Sequence, residues 1–297
     1  MVGCVLFVGN GPNNITNGYT WQDLISDLIA FIGARGLIDA NDKPFPLLYE
    51  EIIAKSLRGG RKTELEVKSY ISEKLRIFEK NPIHDRLATS SVKHLVTTNY
   101  DYTIENAIMD NGTSPTHDSV INESLYSLFR AASFKDRKVW HAHGECNSPS
   151  TVTLGYEHYA GYLQRMRAYV VTGTGTTYKN HRFSSIVTRL RAGTVKFESW
   201  VDYFFTKDIY IVGYTMDFVE IDLWWLITYR ARCIYEKKVV INNQITYYYP
   251  ETYAPAIGAK LQLLESSGVN PYSFPYSLRN KTDYYNRVLD HIESKCL

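Results

Sequence analysis

The sequence predicts an α/β fold: a mainly parallel sheet flanked by helices. Short apolar runs recur along the chain, such as Val5-Leu6-Phe7-Val8 and Ile209-Tyr210-Ile211-Val212. Each run is closed by a cluster of small or polar residues, and most are followed by apolar residues at helical spacing. Continuous apolar runs suit strands buried on both faces, the condition of a parallel sheet. The intervening helices supply the crossovers that such a sheet needs.

The elements follow in order. Met1 to Val8 reads as a strand, broken by Gly9-Asn10-Gly11-Pro12. Thr20 is placed to cap a helix that buries Leu24, Ile25, Leu28, Ile29 and Ile32 and ends at Gly33 and Gly36. Leu48, Ile52, Ile53 and Leu57 mark a second helix. Thr63-Glu64-Leu65-Glu66 has the capping-box pattern, and Val67, Ile71, Leu75 and Phe78 continue a third helix that Asn81-Pro82 is expected to stop. His94 to Thr98 is a strand, followed by a helix from about Tyr102 to Met109, and Val139 to His143 is another strand. Leu154 to Val171 and Phe183 to Phe205 read as helix around a loop from Thr172 to Tyr178. Ile209 to Val212 is a strand, Phe218 to Tyr229 a helix, and Val239 to Ile241 a strand with which Gln244 to Tyr249 is expected to pair as a hairpin. Helices near 255–266 and 282–294 complete the chain. No repeat or low-complexity linker divides it, so residues 1–297 read as one domain, with 155–205 as a helical insertion or subdomain.

Composition narrows the class. Of 297 residues, 44% are hydrophobic and 22% charged, the balance of a folded chain. A formal net charge of +2 excludes a strong global field for nucleic acid. Tyrosine is frequent, at 24, with no motif to explain it. The four cysteines are separated by 142, 87 and 63 positions, and none form a C-x-x-C pair. That spacing argues against a zinc knuckle; an even count allows disulfides, but a domain this large does not need them, and a reducing, cytoplasmic setting is expected. No stretch approaches the roughly 20 apolar residues needed to span a bilayer. The nearest candidates, Leu24 to Ile32 and Phe218 to Ile227, carry Asp27 and the Glu220/Asp222 pair.

Ligands of open parallel sheets bind beyond the carboxyl ends of the strands. Polar or small clusters end the strands here: Gly9-Asn10-Gly11, Thr98-Asn99-Tyr100-Asp101, His143-Gly144-Glu145, Gly213-Tyr214-Thr215 and Asn242. Gly9-Asn10-Gly11 permits close approach of backbone to a phosphate, but it is also an ordinary strand-to-helix turn; it has neither a third glycine at G-x-G-x-x-G spacing nor a G-K-[ST]. Asn99 and Asp101 read either as an Asx turn capping the next helix or as polar groups that hold a sugar hydroxyl, an amide or a water. His141, His143 and Glu145 alternate, so three readings stand. They are a two-histidine, one-carboxylate metal site; a general base at His143 with His141 as a buried neighbour; or two hydrogen-bonded core histidines. Gly144 argues against the first, because it ends the strand and spoils the alignment. No serine sits in a G-x-S-x-G elbow.

In this order the motifs resemble the sirtuin-like superfamily, and within it the bacterial sirtuin-like NADase effectors of anti-phage defence. The family's G-A-G-x-S turn corresponds to Gly9-Asn10-Gly11-Pro12-Asn13, and T-Q-N-I-D to Thr97-Thr98-Asn99-Tyr100-Asp101, in the T-T-N-Y-D form common in the defence branch. The H-G pair corresponds to His143-Gly144, the later glycine turn to Gly213-Tyr214-Thr215, and the I-N strand end to Ile241-Asn242. The four-cysteine zinc module of deacetylating sirtuins is missing, and 155–205 stands in its place.

The resemblance implies a Rossmann-like fold and cleavage of the nicotinamide–ribose bond of NAD, with NAD as substrate and no metal. It implies that Asn99 holds the nicotinamide ribose or the attacking water and that His143 acts as base toward a ribose hydroxyl or water. Asp101 would bind the nicotinamide end. Gly9, Asn10, Gly11, Gly213, Tyr214, Thr215 and Asn242 would line the dinucleotide. Without the zinc module, water is the expected acceptor. A non-catalytic subunit sensing NAD or ADP-ribose, an ADP-ribosyl transferase, and a metal hydrolase using His141, His143 and Glu145 are the alternatives. Standalone members of this kind imply a homo-oligomer paired with a HerA-type hexameric ATPase or an Argonaute-like protein, reaching nucleic acid only through that partner. Residues 155–205 are the expected interface.

Overall fold

A computed structural model describes every residue except 1, 2, 17, 111, 113, 120, 122, 176, 177, 179, 180 and 297. The first two residues of the expected N-terminal strand and residues 176 and 177 of the expected loop therefore lie outside the described residues. The apolar run at the start of the sequence forms the central strand, β1 (Cys4–Val8), with Val5 and Leu6 wholly buried. Then come α1 (Trp21–Phe31), α2 (Phe45–Arg58), α3 (Glu64–Arg76) and α4 (Pro82–Thr89). β2 (His94–Thr97), α5 (Thr103–Met109), β3 (Thr116–Asp118), β4 (Ala131–Ser133) and β5 (Lys138–His141) follow. Next are α6 (Tyr156–Arg167), α7 (Ile186–Arg191), β6 (Asp208–Val212) and α8 (Ile221–Tyr235). β7 (Ile245–Pro250), α9 (Ala254–Ser266), β8 (Asn270–Phe274) and α10 (Lys281–Cys296) complete the chain.

The strands form one eight-stranded sheet in the order β3-β4-β5-β2-β1-β6-β7-β8. β5, β2, β1, β6, β7 and β8 run parallel, and β3 and β4 are antiparallel additions at one edge. The Rossmann-like α/β architecture predicted from the alternation is the one present. From β1 the chain builds β2 and β5 on one side, then returns to place β6 on the other. That reversal makes β1 a topological switch point, where a crevice opens at the carboxyl edge.

Strand alternation sorts side chains to the two faces. Phe7, Val96, Trp140, Ile209 and Ile211 pack with Tyr162, Met166, Tyr169, Trp200 and Phe204 on one face. Leu6, Val8, Leu95, Val139 and Val212 meet α4, α5 and α10 on the other, through Ile83, Ile104, Val288 and Ile292. A third cluster joins α1, α2 and α3 to Tyr100, Val152 and Leu154. The capping box predicted at Thr63 forms with Glu66, and Thr20 closes an equivalent box with Asp23.

Several expectations are corrected. Among the described residues between 155 and 205, only 156–167 and 186–191 are α-helical; a π-helical turn follows the first at 168–172, and 200–205 is a 3-10 turn. Many bulky apolar side chains of this segment pack into the chain's own core, while Phe197 is 38% exposed. Pro82 does not merely end a helix. It opens α4, because its missing N–H is not needed at a first helical position. Val239 to Ile241 is not a strand, and Val240 is 78% exposed. The place beside β6 is filled by β7, whose Ile245 stands level with Ile209, so no hairpin forms. Asn242 therefore precedes β7, at the amino edge of the sheet. Next to it, Asn243 donates to the carbonyls of Phe204 (3.2 Å) and Lys207 (2.6 Å), residues that lead into β6. A disulfide, unexpected from the spacing, joins Cys4 to Cys296 and ties β1 to the end of α10, with Cα atoms 6.0 Å apart.

Asn81 connects α4 to the loop after β1. Its side-chain oxygen accepts from the amides of Ile83 (2.9 Å) and His84 (3.4 Å), and its Nδ2 donates to the Pro12 carbonyl at 2.9 Å. Asn81→Ala should therefore lower the unfolding free energy by about 2–3 kcal/mol, combining a lost cap with an orphaned carbonyl. Urea denaturation measures this directly.

Candidate active site

The turn after β1 is held against the turn after β6 by backbone alone. The amide of Gly9 donates to Val212 O at 2.9 Å, and that of Gly11 to Gly213 O at 2.7 Å. A β-carbon on Gly9 would stand 2.6 Å from Tyr214 Cα, and one on Gly11 2.7 Å from Gly213 Cα. Only glycine permits this approach. Because both amides are used internally, these glycines build the crevice floor and do not offer free donors to a phosphate.

A cavity of about 420 Å³ lies over this floor, beyond the carboxyl ends of β1, β2, β5 and β6. Asn10, Gly11, Asn99, Asp101, His143, Gly213, Tyr214 and Thr215 all line it. Gly9 lies behind the lining, bonded to β6, and Asn242 is at the opposite edge of the sheet. Eight of the ten residues predicted for the site thus surround one space.

Asn99 is fixed from three directions. Its amide donates to Thr97 Oγ1 at 3.0 Å, its Nδ2 to the Gly9 carbonyl at 3.3 Å, and its carbonyl accepts from His141 Nδ1 at 2.7 Å. His141 also reaches Glu105 through Nε2, at 2.7 Å. Both of its nitrogens face acceptors, so it is a donor at each. Burial acts to lower its pKa, but the Glu105 carboxylate outweighs this and raises it to about 9.

Asp101 is positioned by a buried relay. The Asn81 amide donates to His84 Nδ1 at 3.0 Å, His84 Nε2 donates to Asn13 Oδ1 at 2.8 Å, and Asn13 Nδ2 donates to Asp101 Oδ2 at 2.7 Å. Burial drives the His84 pKa down to about 4, so it serves as a neutral link. The other Asp101 oxygen accepts from the amide (3.1 Å) and hydroxyl (2.6 Å) of Thr103. Asp101 therefore caps α5 while facing the cavity, which joins two readings that the sequence left as alternatives.

The H-A-H-G-E stretch does not converge. Glu145 accepts from Tyr102 at 2.7 Å and pairs with Arg130 at 2.9 Å, away from His141's partner Glu105. His143 turns instead to α8: Nε2 lies 2.9 Å from Asp222 Oδ2, and Nδ1 lies 3.6 Å from Glu220 Oε2. Burial opposes protonation of His143, yet the two carboxylates raise its pKa. His143, Glu220 and Asp222 place donor atoms of the kind metals accept within 4.8 Å of one another. As arranged, the two acids face opposite ring nitrogens. Gly144 adopts a left-handed conformation (φ 95°) with Thr151 packed where a side chain would be, and so it turns the chain out of β5 just after the histidine.

Sequence reasoning missed Glu220 and Asp222, although two acids inside the apolar stretch 218–227 were a usable signal. It also missed Lys260, Lys281 and a tyrosine lining: Tyr19, Tyr100, Tyr159, Tyr247, Tyr248, Tyr249, Tyr253, Tyr276, Tyr284 and Tyr285 join Tyr214 around the cavity.

Residues 93–216, from β2 to the turn after β6, match the SIR2-like domain family. The match supports a sirtuin-like superfamily member and an NAD-related activity, since enzymes of this family are generally NAD-dependent. No curated protein matches the chain. The matched segment contains Asn99, Asp101, His143 and Gly213 to Thr215. β1 and α8, which supply the glycine floor and the two acids, lie outside it. No helix among the described residues is long and apolar enough to cross a membrane.

The His141–Glu105 pair has a pH signature. A histidine pKa raised from 6.5 to about 9 stabilises the fold fully below pH 6.5, and that stabilisation disappears as pH rises through 9. Melting temperatures measured across this range should show the native chain's advantage over Glu105→Gln to be largest near pH 6.5 and to shrink toward pH 9.

Proposed function

We propose that this chain is an NAD hydrolase that cleaves the nicotinamide–ribose bond and releases nicotinamide and ADP-ribose. The observation that carries the reading is the meeting of Asn99, Asp101 and His143 with the 9–11 and 213–215 turns in one cavity at a switch point of the sheet. The reaction needs little nucleophilic push. As the C–N bond breaks, its electron pair leaves with nicotinamide and positive charge develops on the sugar. Orientation and nearby negative charge are what lower the barrier. Asn99, pinned by Thr97, Gly9 and His141, orients the ribose or the water. Asp101 faces the nicotinamide end, and His143 acts as base toward a ribose hydroxyl or the water.

We extend this reading to the biological role implied by the T-T-N-Y-D and H-G motifs. The chain depletes NAD as an effector of anti-phage defence, and it is held in check by homo-oligomeric assembly and by a HerA-type ATPase or Argonaute-like partner. Support for that extension is the resemblance alone.

Nicotinamide release by the purified chain, at high and low protein concentration, tests the activity. Turnover by the native chain and a fall of about 10²-fold or more in both Asn99→Ala and His143→Ala are expected. Turnover that survives both substitutions sinks the site assignment. NAD binding without cleavage, still absent after addition of a partner ATPase or Argonaute, favours the sensing subunit instead.

A further inference from the structure

Asp222 is wholly buried in the first turn of α8. Among the described residues its side chain makes one hydrogen bond: Oδ2 lies 2.9 Å from His143 Nε2. Its other oxygen is buried and has no hydrogen-bond partner. Taking a carboxylate out of water is unfavourable, and a buried ion pair adds little net stability to a fold. The one group that this acid serves is the histidine ring.

A neutral imidazole has one N–H and one lone pair, and a carboxylate can only accept. The hydrogen bond to Asp222 therefore places the ring proton on Nε2 and the lone pair on Nδ1. Nδ1 has no hydrogen bond among the described residues. Glu220 Oε2 stands 3.6 Å from it and accepts instead from the Tyr159 hydroxyl at 3.2 Å. His143 and Glu220 line the cavity, whereas Asp222 does not. The ring is thus held from behind, with its open nitrogen on the side of Glu220 and the cavity. Tyr159 and Tyr162 of α6 also pack on it, edge-on, with ring centres 5.5 and 6.0 Å away. Burial keeps both of these hydroxyls protonated, so the charges facing the ring are those of Asp222 and Glu220.

We propose that Asp222 is a positioning residue: it fixes His143 with its proton on Nε2, and so turns the Nδ1 lone pair toward the cavity to take the proton released in hydrolysis. The inference rests on the hydrolase reading above. In the step, the C–N bond breaks with its electron pair going to nicotinamide, and the water oxygen bonds to the sugar carbon. The proton lost by the water passes to Nδ1, directly or through a ribose hydroxyl, and later to solvent. NAD and water thus give ADP-ribose, nicotinamide and one proton, while the Nε2 proton stays between the ring and Asp222. The imidazolium formed on the way stands beside two carboxylates, which favour it.

Asp222→Asn tests this by removing the charge at nearly constant shape. An amide offers Nε2 either its oxygen or its N–H, so it no longer selects which ring nitrogen is protonated. A general base is worth roughly 10²–10⁴-fold, so the variant should lose about 10²-fold or more in kcat, with KM and NAD affinity by calorimetry nearly unchanged. Without the carboxylate the ring also protonates at lower pH. The acid limb of kcat/KM should therefore move down by about one pH unit or more, a shift that a merely structural role would not produce. If the variant does not fold, nitrogen NMR of the native chain labelled in its histidines carries the test. The His143 signals, identified by their loss in His143→Gln, should show a protonated Nε2 and a bare Nδ1 once the ring is neutral. The proposal is overturned by native kcat in the folded amide variant, by a loss of kcat with the acid limb unmoved, or by a native ring protonated on Nδ1. Loss of native turnover on dialysis against EDTA, restored by Mg²⁺ or Mn²⁺, also overturns it, since Asp222 and His143 would then be ligands. A native chain that never cleaves NAD overturns the hydrolase reading and this inference with it, whereas native turnover alongside an unimpaired amide variant overturns this inference alone.

Discussion

The site depends on two backbone hydrogen bonds between turns that carry no side chains at the point of contact. Gly9 and Gly11 lie against Val212 and Gly213 so closely that no β-carbon fits. This contact brings the ends of β1 and β6 together, and the parallel pairing of β1 with β2 brings Asn99 beside the same floor. The crevice is therefore a property of sheet order and of the absence of two side chains. The catalytic candidates are mounted around it afterwards.

Charge is distributed over that frame in two opposite ways. His84 is buried among neutral partners and stays uncharged as a link to Asp101, while His141 is buried against Glu105 and carries a proton. Burial acts on both rings in the same direction, and the difference comes chiefly from the carboxylate hydrogen-bonded directly to His141. The result is a set of cavity residues whose orientations are set by hydrogen bonds beneath them, which limits their freedom before any ligand arrives.

Much of this was legible in the sequence because the relevant signals are local. A strand buried on both faces is an unbroken apolar run, and its polar terminus marks the carboxyl edge; Asn99, Asp101, His143 and Gly213 were found that way. The errors have equally physical causes. Asn242 follows an apolar triplet, but sheet pairing chose Ile245 to Pro250, whose tyrosines pack between β6 and β8. Glu220 and Asp222 come together with His143 across about eighty positions, and no spacing rule reaches that far. The Cys4–Cys296 disulfide and the convergence of tyrosines from β7, the turn before α9, the segment after β8 and α10 likewise depend on how the ends of the chain meet. β3 and β4, three residues each, are too short to leave a pattern.

The disulfide sets the geometry of attachment. Cys4 opens β1 and Cys296 closes α10, so both ends of the described chain leave from the amino edge of the sheet. The crevice opens at the other edge, a strand length of roughly 15 Å away. The bond that joins first strand to last helix therefore sits behind the crevice and takes no part in shaping its mouth.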